Sequence, residues 1–216
     1  MNNNKVRKKT INDFNNQWKL QGELNSDYWA SDEILVDQFS GIFSLKEIEN
    51  KIICDVGAGT GRVIKTLLKC NPKKIFAVEP SDVGIDKITK QFKNYSNLKI
   101  IQSDGLNFKT DEQCDIAFSL GVIHHIKNPL DVLINIRKNL KKNGRIVIWV
   151  YGYENNLPYI LIYKFLSILT KRLPDKLLYL FSNLLNALIQ PYIILCKFLN
   201  LPLKKYFINV FNKCGW

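Results

Sequence analysis

Three acids and two adjacent histidines stand at the ends of short apolar runs: Asp55, Glu79, Asp104 and His124-His125. Asp55 opens a turn that reads D-V-G-A-G-T-G-R, through Arg62. Gly57, Gly59 and Gly61 let a ligand approach the backbone closely. A helix that starts right after them offers unpaired N–H groups to negative charge. Asp55 would repel a pyrophosphate and suits a cation. A ligand carrying a carboxylate, an ammonium and a sulfonium fits both halves of the turn. A triphosphate loop would end in Gly-Lys-Ser or Gly-Lys-Thr, which is missing. A dinucleotide turn needs G-x-G-x-x-G, and Arg62 holds the place of its last glycine. This disfavours a nicotinamide-dependent oxidoreductase. The only two histidines in the chain are His124 and His125. A neutral imidazole there could take a proton from a substrate hydroxyl or nitrogen. One of the pair could equally pack locally. Adjacent residues point in different directions, so at most one is expected to face a substrate.

These residues need a scaffold of alternating strands and helices. Ile52-Ile53-Cys54, closed by Asp55 and Val56, reads as a strand buried on both faces. Val63, Ile64, Leu67 and Leu68 then form one apolar helical stripe. Lys74–Glu79, Leu98–Gln102, Cys114–Leu120 and Arg145–Tyr151 read as four further strands. Ser81-Asp82 starts a helix carrying Val83, Ile88 and Phe92. Pro129 fits a helix first turn, with Leu130, Leu133, Ile134, Ile136 and Leu140 inward and Asn143-Gly144 as its end. Upstream, 11–43 reads as helical. Ser31-Asp32-Glu33 looks like a helix start, and Ile34, Leu35, Gln38, Phe39 and Ile42 form its stripe. Ser44 and Glu47 have the spacing of a capping box. Phe14, Gln17, Trp18, Tyr28 and Trp29 read as a helical cover docked on the core.

The heptapeptide D-V-G-A-G-T-G resembles motif I of the class I S-adenosylmethionine-dependent methyltransferases, of the small-molecule, methyltransferase-11-like type. F-N-N-Q-W ahead of it and G-V-I-H-H after the fourth strand are similar to that family's wording. The resemblance covers about Phe14 to Glu154. It implies a Rossmann-like, doubly wound, mostly parallel sheet that binds S-adenosylmethionine at the carboxyl ends of its first strands. It implies cofactor contacts from Asp55, Gly57, Ala58, Gly59 and Gly61. Glu79 would accept from the ribose hydroxyls, Asp104 and Gly105 would meet the adenine, and Gly121 would lie beside the transferable methyl group. His124 and His125 become the candidate bases. Tyr151, Tyr153 and Glu154, at the same sheet edge, become candidate substrate contacts. The expected division is 1–50 as a helical cover, 51–156 as the cofactor-binding core and 157–216 as an apolar helical lid with an edge strand.

The chain departs from the family at its end. Two antiparallel strands normally follow the fifth, and only Tyr206–Phe211 is a candidate for one. Either the chain is a truncated form or the helical block substitutes for that edge. The block from Leu157 to Leu203 is apolar and divided by Pro158, Pro174, Pro191 and Pro202, each suited to a helix start. It carries polar stripes, Lys164/Ser167/Lys171 and Ser182/Asn186/Gln190. The stretch between Lys176 and Lys197 holds no charge. The polar stripe and Pro191 argue against a span, leaving a lid over an apolar or lipid-linked acceptor, with attachment to a membrane surface as the second option. The net charge of +12 is read as a solvated surface, which makes nucleic acid the lesser expectation for a partner. Five scattered cysteines without C-x-x-C spacing point away from zinc and toward a reducing cytoplasm. The first nine residues read as a mobile basic arm rather than a signal peptide.

Overall fold

The computed structural model describes residues 3–20, Leu35, Phe39, 41–154, 157–171, 173–202 and Lys204. The expected helix start at Ser31-Asp32-Glu33, the Tyr28-Trp29 pair and the strand at Tyr206–Phe211 lie outside the described residues. The chain divides into two compact units, Met1–Tyr151 and Gly152–Trp216.

In the first unit, Asn3–Leu20 is a helix (α1). The basic start is therefore ordered helix from Asn3 onward, not a mobile arm. Ser44 and Glu47 form the expected capping box, on a one-turn 3-10 helix over Leu45–Ile48. Ile52–Val56 (β1), Arg62–Lys69 (α2), Lys74–Glu79 (β2), Asp82–Gln91 (α3), Leu98–Gln102 (β3), Cys114–Leu120 (β4), Pro129–Asn139 (α4) and Leu140–Trp149 (β5) then alternate. The five strands pair in the order β3-β2-β1-β4-β5, every pair parallel. This is the doubly wound architecture expected from the apolar runs. The order reverses between β1 and β4, where a crevice opens at the carboxyl ends of the strands.

The two-residue period of β1 divides the core. Ile53 faces the layer holding Leu35, Phe39, Ile64, Leu67 and Ile88. Cys54 and Val56 face the layer holding Phe108, Val132 and Ile136. Helices therefore cover both faces, and β1 and β2 read as unbroken apolar runs. All four predicted apolar positions of α2 are buried.

Two boundaries differ from the sequence reading. α4 ends at Asn139, and Leu140 already pairs with Cys114. The register then shifts, so that Ile116 meets Arg145. The Asn143-Gly144 pair sits inside this irregular strand and does not end a helix. The buried face of α4 is Val132, Ile136 and Asn139, while Leu130 and Ile134 are exposed. Asn139 is retained inside because its side chain carbonyl accepts from the Thr110 backbone N–H at 2.9 Å. Ile42 is likewise exposed, not part of the buried stripe with Leu35 and Phe39.

In the second unit, Leu157–Thr170 (α5) and Asp175–Phe198 (α6) are helices. Pro191 lies inside α6 and does not start a new helix. The Lys176–Phe198 stretch is long and apolar enough to cross a membrane by length and composition.

Candidate cofactor site

The site begins where β1 ends. Gly57 and Ala58 donate their N–H groups to the Val78 carbonyl at 2.8 and 3.1 Å, which folds the turn back over β2. Gly57, Gly59 and Gly61 all have positive φ, a region that L side chains rarely adopt. A Cβ on Gly57 would meet the Val122 methyls at 2.5 Å, and one on Gly61 would meet the Phe92 ring at 2.6 Å. The turn is thus closed by packing as well as by dihedral, and Gly61 caps α2 with no side chain of its own. That helix starts directly after the turn, and a helix start favours negative charge.

Asp55 lies at the floor of this turn, 1% exposed. Its Oδ2 has no hydrogen-bond partner among the described residues. Burial, with repulsion from Glu79, raises its pKa to about 7, against an opposing pull from Arg62. Burial in turn lowers the pKa of Arg62, while Asp55 raises it. A buried carboxylate oxygen without a donor is a site for a cation or an N–H.

Glu79 ends β2 and is 3% exposed. Its Oε2 accepts from the Gly59 N–H at 2.8 Å and its Oε1 from the Ser81 N–H at 2.9 Å. Each oxygen keeps a second lone pair for a hydroxyl donor. Burial raises this acid too, to about 7, against the two backbone donors that lower it. Ser81 caps α3, its hydroxyl oxygen accepting from the Gly84 N–H at 3.1 Å.

Asp104 follows β3. Its Oδ1 accepts from the backbone N–H groups of Leu106 and Asn107 at 2.9 and 3.1 Å. Arg7 of α1 pairs with its Oδ2. Gly105 beside it is buried, and a Cβ there would meet Val132 at 2.8 Å. Gly121, after β4, has positive φ and donates to the Trp149 carbonyl at 2.9 Å.

His124 and His125 sit on a 3-10 turn, Ile123–His125. Their ring centroids are 4.1 Å apart. The rings touch at a tilt of 48° and face different partners. His125 meets the Phe14 ring edge-on at 5.3 Å, while His124 meets Tyr151 at 5.0 Å. Burial lowers the pKa of both from the ordinary histidine value, with repulsion from His125 adding to it at His124, which favours the neutral imidazole. Tyr151 meets the ring of Trp149, the last residue of β5, edge-on at 4.8 Å and is exposed. Tyr153 and Glu154 belong to the second unit and are exposed.

Sequence reasoning missed three participants. Arg7 was hidden in a basic run with no apolar periodicity. Asn15, whose amide meets the Ser81 hydroxyl, carries no local signal. Gly84 is a glycine inside a helix, and that was the signal available. A Cβ there would meet the Gly59 carbonyl oxygen at 2.5 Å and Glu79 Cγ at 3.0 Å. Trp18 lies against both Gly59 and Gly84, and Lys87 Nζ holds its carbonyl at 2.9 Å. The helical cover expected around Phe14 and Trp18 thus rests directly on the glycine turn.

A parallel sheet with reversed strand order, a glycine turn opened by a buried acid, and a second acid ending β2 define the Rossmann-like class I methyltransferase fold. Residues 54–148 match the family model described as a methyltransferase domain. Over that stretch the chain is similar to the methyltransferase-domain family, and the fold is the one in which class I methyltransferases take S-adenosylmethionine. The chain is 27% identical over 118 residues to a tRNA U34 carboxymethyltransferase of Pseudoalteromonas atlantica, covering 52% of this chain and 36% of that protein. It spans about a third of the length of such relatives. Among solved structures it is similar to Haemonchus contortus phosphoethanolamine N-methyltransferase 1 in complex with phosphoethanolamine and S-adenosylhomocysteine. That likeness has a TM-score of 0.55 at 20% identity, over 68% of this chain and 33% of the other. It is also similar to the DhpI-SAM-HEP complex, with a TM-score of 0.52 at 16% identity, over 73% and 71%. These structural likenesses bear on the fold.

Proposed function

We propose that this chain transfers the methyl group of S-adenosylmethionine to a small-molecule acceptor that is apolar or lipid-linked. The observation that carries the cofactor half is the Asp55 carboxylate, buried at the opening of the glycine turn with an oxygen that has no partner among the described residues. It would hold the cationic end of the cofactor, Glu79 the ribose hydroxyls and Asp104 the adenine amino group. When bound, the cofactor supplies a methyl group on a good leaving group. The chain's own work is therefore alignment, and orientation can supply up to roughly 7–11 kcal/mol of a barrier. His124, favoured in its neutral form and beside Tyr151 just past β5, is the residue of the pair better disposed to accept an acceptor's proton. His125 packs against α1. The large exposed side chains of α5 and α6 support an apolar acceptor.

The test is incubation of the full chain with labelled methyl donor and cell extract. Label entering an organic-soluble small molecule supports the reading. Label found only in nucleic acid would replace it with the second reading, a nucleic-acid acceptor. That reading is favoured by the net charge of +12 and by relatives named as tRNA-modifying enzymes. It requires binding that falls steeply with salt.

A further inference from the structure

The second unit exposes two stripes of large apolar side chains. Along α6, Leu177, Leu180, Leu184, Leu188 and Leu195 recur at helical spacing and share one arc of the helix. Leu180, Leu184 and Leu188 are 64%, 55% and 65% exposed. The opposite arc carries Tyr179, Ser182, Asn183, Asn186, Gln190 and Lys197. There the Gln190 amide donates to Asn186 Oδ1 at 3.3 Å. Near the carboxyl end of the helix the same arc holds Ile193 and Cys196, which are buried. Only 6% of the most apolar window of this helix is buried. On α5, Leu157, Leu161, Phe165 and Ile168 form a second stripe at i, i+4, i+8 and i+11, all exposed.

Charge says what covers them. Residues 157–216 hold eight lysines and arginines, among them Lys164, Lys176 and Lys197, against one acid, Asp175. More than half of the chain's excess of +12 therefore sits in this last segment. A second copy laid on these stripes would bring two strongly cationic segments together. An anionic lipid surface offers the opposite charge and an apolar layer beneath it.

We propose that α5 and α6 bind an anionic bilayer surface, lying in its plane with the leucine stripes in the acyl boundary. α6 is long enough to span, but a spanning pose would place Ser182, Asn183, Asn186 and Gln190 in hydrocarbon. In the plane of the surface, with the leucine arc facing the lipid, the exposed Ser182 and Asn183 of the opposite arc stay in water. The inference is independent of methyl transfer, because binding is read without cofactor or acceptor.

The test is co-sedimentation of the full chain with vesicles of phosphatidylcholine alone and with an equimolar mixture of phosphatidylcholine and phosphatidylglycerol. Partition into the anionic vesicles should be at least about ten-fold stronger and should fall as salt rises. The double variant L184E/L188E should lose about ten-fold or more of it. The variant K176Q/K197Q keeps the apolar stripe and should lose about five-fold or more, with an unchanged thermal midpoint. Equal partition to neutral and anionic vesicles, or none to either, would overturn the proposal. So would a lipid-free dimer that L184E/L188E splits into monomers, which would assign the stripe to a second copy.

Discussion

Asp55 and Glu79 are unusual carboxylic acids, because burial holds both near pKa 7 where ordinary values are 3.8 and 4.5. The folded chain keeps protons that the unfolded chain has released between pH 4 and pH 7. Stability from this pair is therefore greatest at low pH and is lost as pH rises toward about 7. Asp55→Asn should flatten that slope and raise the thermal midpoint at pH 8, read by calorimetry against wild type. A cation beside Asp55 reverses the balance by favouring the carboxylate. Binding of S-adenosylmethionine should then release protons near neutral pH and tighten as pH rises through about 7. Titration in two buffers of different ionisation enthalpy measures this, and equal apparent enthalpies would reject it. Glu79→Ala should weaken cofactor binding about ten-fold or more, since hydrogen bonds to a charged group contribute roughly 1.5–3 kcal/mol each. Gly84→Ala should weaken it as well, because its Cβ has to displace Glu79 or the Gly59 carbonyl. For the histidines, the neutral form is the base, so the rate should fall as pH drops below the lowered pKa. His124→Ala should abolish that limb and His125→Ala should retain it.

At the scale of elements, α1 is the part that most changes the account. Its Arg7 engages the acid assigned to the adenine, with the Asp104 carboxylate already accepting three donors at Oδ1. Arg7 is nearly half exposed, so its pairing is weak, on the order of 0.2–1 kcal/mol. Arg7→Ala should therefore tighten binding of S-adenosylhomocysteine on the order of two- to five-fold by freeing Oδ2. Weaker binding in that variant would mean that Arg7 orders the acid rather than competing for it. The strands β1, β2 and β4 were legible in the sequence, because a strand buried on both faces is an apolar run that stops at a turn residue, and the half-buried β3 was legible from its short apolar run before Ser103-Asp104. α1 was legible only from Ile11 onward, because its first turns hold a single apolar side chain, Val6, which shows no period. β5 began five residues early because Leu140 continues the apolar pattern of α4 while pairing with Cys114. Long-range pairing of that kind leaves no local trace. The acids at strand ends were legible because such positions border the crevice. Gly84 and Asn15 were not, since their roles depend on which helix crosses which turn.

As a whole, the chain divides its features along its sequence. Residues 54–148 match the methyltransferase-domain model, and the last sixty hold most of the net charge and the exposed leucines. A chain ended after Tyr151 should keep its response to S-adenosylhomocysteine and lose its partition to anionic vesicles. The central claim is that a sulfonium nucleoside lies over the glycine turn, held by Asp55, Glu79 and Asp104. The most direct measurement is the thermal midpoint of the full chain with S-adenosylhomocysteine or with NAD, for wild type and Glu79→Ala. At a hundred-fold excess over the dissociation constant, S-adenosylhomocysteine should raise the wild-type midpoint by about 5–10 °C. NAD should leave it unmoved, and the variant should respond less at the same concentration. A chain that ignores S-adenosylhomocysteine, or that answers NAD as strongly, would contradict the account.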